Sequence, residues 1–540
     1  MSRVNTLLSR RAFGGLVTQI RGCQTMTFGA MSKPNRSRRT RSTSGSTDFR
    51  LDQVLSRNSS TTKVTQNSVA YQLQRKELYE EEEEWLWPVD SIQQTFIEAH
   101  RVGARHSGPF TTLNSAKPLR IEDVTEALVH MQRKTPVYQV RMKERDGNLW
   151  WQKKENFSID FKVLEKGLGH QAILDDIWDE PLFVDGSKPL WRARLIPASD
   201  DASCPMPELK AAYPYQYSFM TSCHHAVGDG MTVAFLTQRF VDMLNAVIDG
   251  QTIDEKPFGM FVSNGDIARQ EMAIQQQFLK DQERFETLKD EVLRSNKEPV
   301  LFKAFPKPKV ERPSSGHITN CIDSETHKRI SRKSKQAGVS FGSTLQASIN
   351  IAMVEMVRDA GVSDDHHDIS VNIAADLRRY MSRTPTASLG LHARTTAHAT
   401  RTHKDARGRF WEYARDLHQD FGAKLKAGGV LQQDVVRQMV MPQIHPRDFY
   451  AGSPEVIRDY GFNNVGDLTQ VIPGEGKHVQ MTDLLQYSQV TKFIYPMLHQ
   501  LFTFRGSCKY VISYADDCLT DETAHMIADK VMGILNEISE

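Results

Sequence analysis

The residues of this chain best suited to chemistry lie in Ser222-Cys223-His224-His225-Ala226-Val227-Gly228-Asp229-Gly230. Two adjacent imidazoles precede a carboxylate. A neutral imidazole, with an ordinary pKa of about 6.5, can take a proton from a hydroxyl or an amine near neutral pH without a metal or a covalent intermediate. Such a base must be held in one pose, and the flanking segments are suited to hold it. An apolar run from Tyr213 to Met220 has the length and aromatic content of a buried strand, and Met231 to Asp249 follows with Val233, Leu236, Phe240, Met243 and Val247 at helical spacing. The motif is therefore predicted on a strand-to-helix turn, where Gly228 and Gly230 flank Asp229 and would allow unusual backbone dihedrals.

At 540 residues the chain exceeds what one hydrophobic core usually supports, so two domains are expected. The 68 basic residues nearly cancel the 66 acidic ones, which removes any global electrostatic case for nucleic acid as a partner. Six cysteines (Cys23, Cys204, Cys223, Cys321, Cys508 and Cys518) are widely spread and form no CxxC pair. That pattern predicts reduced thiols in an intracellular compartment, not a disulfide framework or a zinc site. No run of 18 apolar residues occurs, so no transmembrane segment is predicted and the protein is expected to be soluble.

Residues 1–47 contain no acidic residue and carry nine arginines and lysines between apolar positions such as Leu7, Phe13 and Ile20. This composition resembles a mitochondrial transit peptide, and a disordered basic tail is the alternative, so residues 1–30 are assigned to one or the other and the location to cytoplasm or mitochondrion. Residues 31–75, rich in Ser, Thr, Asn and Arg, read as a disordered linker. The acidic run Glu80 to Glu84 reads as a solvated turn before Trp85-Leu86-Trp87-Pro88.

Further along, Ile121, Val124, Leu128 and Met131 predict a helix, and Pro136 to Arg141 a strand. Pro189-Leu190-Trp191 leads into another predicted strand, with Trp191 as a packing anchor. Residues 266–296 read as one long amphipathic helix. Pro299 to Ser315 has the composition of a connection, placing one domain at 76–298 and another at 316–540. In the second, Ser340 is the predicted N-cap of a helix from Phe341, Ile369 to Ile373 a strand ended by Asp376-Leu377-Arg378-Arg379-Tyr380, and Tyr510 to Asp517 a last strand before a helix from Thr520. The patterning on both sides predicts mixed α/β domains, each a sheet covered by helices, with the motif at their junction.

Other constellations are weaker. Asp364-Asp365-His366-His367-Asp368 holds metal-ligand residue types but reads as a solvated turn. His225 and Asp229 lack a third ligand at useful spacing, so no metal is assigned. Cys223 is read as a packed thiol, and Gly474-Glu475-Gly476-Lys477-His478 lacks the residues of a phosphate loop.

Written as a pattern, the central motif is His-His-x-x-x-Asp-Gly. It resembles the motif of the acyltransferase superfamily that includes chloramphenicol acetyltransferase, alcohol O-acetyltransferases, plant acyltransferases and peptide-synthetase condensation domains. Pro189-Leu190-Trp191, Phe462-Asn463-Asn464-Val465-Gly466 and the final strand and helix extend the resemblance over roughly residues 85–540, most like the alcohol O-acetyltransferase branch. The Asp-Phe-Gly-Trp-Gly signature of the plant branch is absent, Gly390-Leu391 lacks the usual Asn, and Asn463 stands where the wax-ester branch has Ser.

The resemblance implies an α/β mixed sandwich of two chloramphenicol acetyltransferase-like domains with the active site at their interface. It implies acyl-CoA as co-substrate, an alcohol or amine acceptor, and no permanently bound cofactor. His225 would be the general base, with His224 and Asp229 completing the catalytic motif. Gly230 and Arg378 would be structural, Arg378 reaching Asp229 from the second domain. The chain is expected to act as a monomer. A carrier-protein-dependent condensation domain and a catalytically inactive scaffold are the alternatives.

Overall fold

The computed structural model describes residues 84–540 except 104–105, 155–157, 181, 183–185, 385, 441–447 and 449–454. The expectations for residues 1–30, for 31–75 and for Glu80 to Glu83 lie outside the described residues.

The first half of the chain contributes β1 (Trp85–Pro88), α1 (Ser91–Arg101), β2 (His106–Ser115), α2 (Ile121–Lys134), β3 (Val140–Arg145), β4 (Asn148–Lys153), β5 (Phe161–Val163), α3 (His170–Asp179), β6 (Trp191–Pro197), β7 (Tyr215–Cys223), α4 (Gly230–Ile248), β8 (Gly259–Phe261), α5 (Gly265–Lys280) and α6 (Gln282–Ser295). The second contributes β9 (Ser315–Ile322), α7 (Ser324–Gln336), α8 (Phe341–Asp359), β10 (His366–Asp376), β11 (Ala387–Leu389), β12 (Ala393–His403), α9 (Phe410–Lys426), α10 (Gly429–Val440), β13 (Tyr460–Asp467), β14 (Val479–Ser488), β15 (Met497–Phe504), β16 (Ser507–Ala515) and α11 (Asp521–Ser539).

Two mixed sheets result, each the centre of a lobe. The first has strand order β14-β2-β7-β6-β5 and the second β12-β10-β13-β15-β16-β9. In the first lobe α2 and α4 cover one face of the sheet. Their stripes, Val124, Ala127, Leu128 and Met131 on α2 and Leu236, Phe240, Met243 and Leu244 on α4, are buried, and Phe240 stacks on Phe219 of β7 with ring centroids 4.0 Å apart. In the second lobe α8 is buried on nearly every side from Gly342 to Val357, as an apolar helix must be when it lies between a sheet and other helices. Its N-cap is Ser340, whose hydroxyl accepts from Ser343 N at 3.1 Å.

β14 belongs to the second half of the sequence but pairs antiparallel with β2 in the first lobe, Val479 opposite Ser115 and Leu485 opposite Phe110. Leu468, Ile472, Val479, Met481 and Leu484 therefore sit in the first lobe's core. Return traffic is smaller: β8 and β11 form a two-stranded parallel ribbon, Phe261 beside Leu389.

Three sequence expectations are corrected. Pro136–Tyr138 is a 3-10 turn and the strand begins at Val140, because Pro136 lacks an N–H for a ladder while its carbonyl accepts from Gln139 N at 3.0 Å. Tyr138 is thereby freed to stack on Trp191 at 4.4 Å. The single helix expected over 266–296 is two, broken at Asp281 (φ −119°, ψ 79°), whose side chain caps α6 through Arg284 N at 3.1 Å. The Pro-rich connector is not a loose linker at its start, since Val300 and Leu301 form a buried turn in the second lobe's core.

Candidate active site

β7 lies between β2 and β6 and delivers the motif at its end, Trp191 of β6 opposite Cys223. The ladder's last bond runs from His224 N to the Leu190 carbonyl at 2.7 Å, after which His225–Val227 make one 3-10 turn and Asp229 caps α4. The expectation of unusual dihedrals at the two glycines is not met: Gly228 has an extended φ of −158° and Gly230 is the first residue of α4. Space is the reason for glycine at 228, where a Cβ would stand 3.0 Å from Cys223 Sγ. A Cβ at Gly230 would meet no atom within 4 Å, so the helix start faces open space.

The tight turn folds the His225 ring back on its own backbone, placing Nδ1 2.8 Å from the Gly228 carbonyl oxygen. A carbonyl only accepts, so Nδ1 carries the proton and Nε2 carries the lone pair. Phe96 of α1 packs against the ring at 4.1 Å. Burial lowers the His225 pKa, and the bond to Gly228 and the charge of Asp229 oppose that only in part. The imidazole is therefore neutral at neutral pH, and Nε2 is the nitrogen that can take up a proton.

His224 is arranged differently. It is 1% exposed, its Nδ1 accepts from Ala226 N at 3.1 Å, and its ring packs on His100 at 4.4 Å. Burial first, then His225 and Arg101, push its pKa down to about 3. In the neutral ring the only lone pair is committed to the backbone, so His224 holds the turn.

Asp229 faces the second lobe. Its carboxylate accepts from Thr232 N at 2.9 Å, from His392 N at 2.8 Å, and from both terminal nitrogens of Arg378 at 2.9 and 3.1 Å. Burial would raise its pKa, but the Arg378 guanidinium and these N–H groups outweigh burial and hold it below the usual carboxylate range. Arg378, in the turn that ends β10, also donates to the Ser388 carbonyl at 3.0 and 3.2 Å and to Asp376 at 3.2 Å. Thr232 and Gly390 complete the seam: the Thr232 hydroxyl donates to the Gly390 carbonyl at 2.9 Å, and Gly390 N lies 3.1 Å from the same hydroxyl. Gly390 has φ +142°, and a Cβ there would lie 2.9 Å from His392 Nε2, so only glycine fits.

Sequence reasoning missed Thr232, Asn264, His392 and Phe96. Asn264 donates to Asp90 at 2.7 Å and to the Leu391 carbonyl at 3.0 Å, and its side-chain oxygen accepts from His392 Nδ1 at 2.8 Å. The legible signal was Asp90, which with Gln93 forms the capping box of α1. The other three are ordinary residues made important by position alone.

Cys223 is half-buried beside this turn, and burial, with Asp229, pushes its thiol up to about 12, the opposite of an activated nucleophile. The carboxylates of the 364–368 run each face a separate cation: Asp364 lies on Lys303, Asp365 on Lys404 and Asp368 on Arg401. Among the described residues no group of three or more His, Cys, Asp or Glu could hold a metal ion. Asn464 is in β13, where its side chain accepts from Gly466 N at 3.1 Å and packs on Gly342.

No protein-family model and no curated protein sequence matches the chain. Solved structures do. The epimerization domain from the third module of tyrocidine synthetase B superposes with a TM-score of 0.58 at 13% identity, over 85% of this chain and 96% of that one. Trichothecene 15-O-acetyltransferase from Fusarium sporotrichioides gives 0.60 at 12% identity, over 85% and 95%. The starter condensation domain of rhizomide synthetase, in complex with C8-CoA, gives 0.56 at 12%, over 84% and 95%. At these identities the likeness establishes the fold: a two-lobed, mixed α/β architecture of the chloramphenicol acetyltransferase type, shared with condensation domains and an acetyltransferase.

Proposed function

We propose that this protein is an acyltransferase that moves an acyl group from a thioester, acyl-CoA in the simplest case, to a hydroxyl or amine. The observation that carries the reading is the Nδ1–H of His225 donating to the Gly228 carbonyl, which leaves Nε2 as the proton acceptor at the end of a buried strand. The acceptor's O–H or N–H gives its proton to Nε2 as the oxygen or nitrogen bonds to the thioester carbon. Collapse of the tetrahedral adduct breaks the C–S bond, and the departing thiolate takes the proton back from the imidazolium. Product ester or amide and free thiol leave, and the histidine is neutral again.

Asp229 has no part in that proton transfer. Its lone pairs are committed to Arg378, Thr232 and His392, so it braces the turn against the second lobe. The first half's residues and the second half's share in one support, and the base stands at the seam between lobes.

The test is acceptor-dependent thiol release. Purified protein, an acyl-CoA series and assorted alcohols and amines are mixed with a thiol-reactive dye. Release that needs both acceptor and His225 supports the reading. Turnover only with carrier-protein thioesters would make the chain a condensation enzyme, and no turnover with any donor would make it a scaffold. Mass spectrometry of products formed in a cell extract identifies the acceptor.

A further inference from the structure

The second sheet ends at β12, which pairs with a strand on one side only, antiparallel to β10. In such a pair alternate residues turn their N–H and C=O away from the partner strand. At Ala397 those outward groups are occupied: its N–H donates to Gln433 Oε1 at 2.9 Å, and its carbonyl accepts from Lys424 Nζ at 2.8 Å and Gln433 Nε2 at 3.0 Å. Ala399 and Arg401 stand at the same parity, and among the described residues nothing bonds their outward N–H or C=O. The side chains of α9 and α10 that close the edge at Ala397 therefore stop short of its end. Four unspent backbone groups on an edge strand are a template for a further strand.

A cavity of about 400 Å³ borders this stretch, with Ala399, Arg401 and His403 of β12 on one side and Glu412, Asp416 and Asp420 of α9 on the other. The three acidic residues are exposed and stand at i, i+4 and i+8, so one face of α9 carries a carboxylate roughly every 6 Å. Side chains on one face of a strand recur at nearly that interval, roughly 6.6–6.8 Å. A strand laid beside Ala399 and Arg401 would thus set alternate side chains opposite the three carboxylates in turn. The cations of the cavity do not neutralise them. Arg401 is held by Asp368 at 3.1 Å, and Arg409 by Asp405 at 3.2 Å with Glu412 at 3.5 Å. Lys424, one turn past Asp420, is paired with Glu291. Asp420 meets only the imidazole of His398, at 2.8 Å, and Asp416 makes no ion pair among the described residues.

We propose that the groove between β12 and α9 captures an extended segment of a partner protein that carries arginine or lysine at alternate positions and adds to the second sheet as its next strand. The segment's backbone bonds the N–H and C=O of Ala399 and Arg401, and its alternate cations face Glu412, Asp416 and Asp420. Main-chain bonds supply affinity and the alternation of charge supplies specificity. An acidic strand would be repelled by the same three carboxylates. This docking function goes beyond acyl transfer and does not depend on it, since no residue of the histidine turn takes part.

The experiment measures fluorescence anisotropy of a labelled, end-capped octapeptide alternating arginine and threonine, titrated with the full chain. Its companions are the same residues arranged as two blocks, the alternating peptide with glutamate for arginine, and two forms of the arginine peptide N-methylated at every second residue, one for each parity. The alternating arginine peptide should bind, the block peptide about tenfold more weakly, and the glutamate peptide not at all. One N-methylated parity should lose about tenfold in affinity and the other little, because only one row of N–H groups faces the edge. Ala399→Pro removes an outward N–H that the ladder to β10 does not use and should weaken binding about tenfold, and Asp416→Asn about threefold. Should Ala399→Pro fail to fold, the two N-methylated peptides on the wild-type chain decide the matter. Equal binding of block and alternating peptides, or of both N-methylated forms, would overturn strand addition, and no binding of the alternating arginine peptide would overturn the site. A dimer in sedimentation that Ala399→Pro abolishes would make the occupant a second copy of this chain and overturn the basic partner.

Discussion

Arg378 grips Asp229 through both carboxylate oxygens, 149 positions apart in sequence, at 2.9 and 3.1 Å. Asp229 caps α4 in one lobe and Arg378 ends β10 in the other, so the pair joins helix start, histidine turn and lobe seam. Removing one partner of a buried pair leaves an uncompensated charge at a cost of roughly 3–5 kcal/mol, the lower figure being apt here because Arg378 keeps some solvent contact. Asp229→Ala and Arg378→Ala should each lower denaturant stability by about 3 kcal/mol. The double variant should be little worse than either single one, because the two act as a unit. Strictly additive losses would mean that the pair does not form in solution.

The two histidines should separate cleanly. His225→Ala is expected to lower turnover by about 10²–10⁴-fold with the fold intact. His224→Ala should instead lower stability, since Ala226 N loses its acceptor and the packing against His100 becomes a void, with a smaller effect on rate. Rates and thermal unfolding measured on both variants decide this, and the reverse pattern would exchange the roles.

Acid should affect activity and stability differently. With its pKa lowered by burial, His225 stays neutral to below pH 6.5, so kcat/KM should hold through pH 6.5 and fall at lower pH. A profile whose acid limb lies above pH 7 would assign the base elsewhere.

Stability has its own pH window. Burial holds His224 and His499 to about 3 and His317 to about 4, whereas in the unfolded chain each takes a proton near its ordinary value of 6.5. The unfolded state then binds more protons between those limits, so stability is full above pH 6.5 and falls as pH drops through the window. A fully buried imidazole such as His499, paired with Tyr510, should contribute up to about 1.4 kcal/mol per pH unit. His499→Gln should flatten the slope of unfolding free energy against pH by that amount, and an unchanged slope would remove His499 from the account.

The crossing of β14 has a consequence for fragments. Residues 84–298 alone would leave β2 as an open edge and uncover Leu113 and Phe240, which in the full chain share a core with Met481 and Leu484. That fragment should fail to fold cooperatively by circular dichroism, and adding residues 299–540 in trans should restore a sharp transition. A cooperative fold of 84–298 by itself would show that β14 is dispensable.

Much of this site was written locally. Strand, turn and helix around the motif follow from an aromatic apolar run, a His-His-x-x-x-Asp-Gly turn and a helical stripe, because strand and helix periodicities depend on near neighbours only. The same holds for the Ser340 cap and for the last strand and helix. Resemblance to a known motif supplied the Asp229–Arg378 pairing, which no spacing could have yielded. Local patterns failed where a few backbone atoms competed, as at Pro136, where a missing N–H favoured a turn, and at Asp281, whose side chain offered a cap in mid-helix. What only the tertiary structure decided is nonlocal: the passage of β14 into the first lobe's sheet, the seam of Thr232, Gly390, Asn264 and His392, and the side of each imidazole that holds its proton. Those depend on which surfaces meet after the chain closes large loops, and the free energy of such meetings comes from shape and burial shared by residues far apart, to which a sequence pattern of short period is blind.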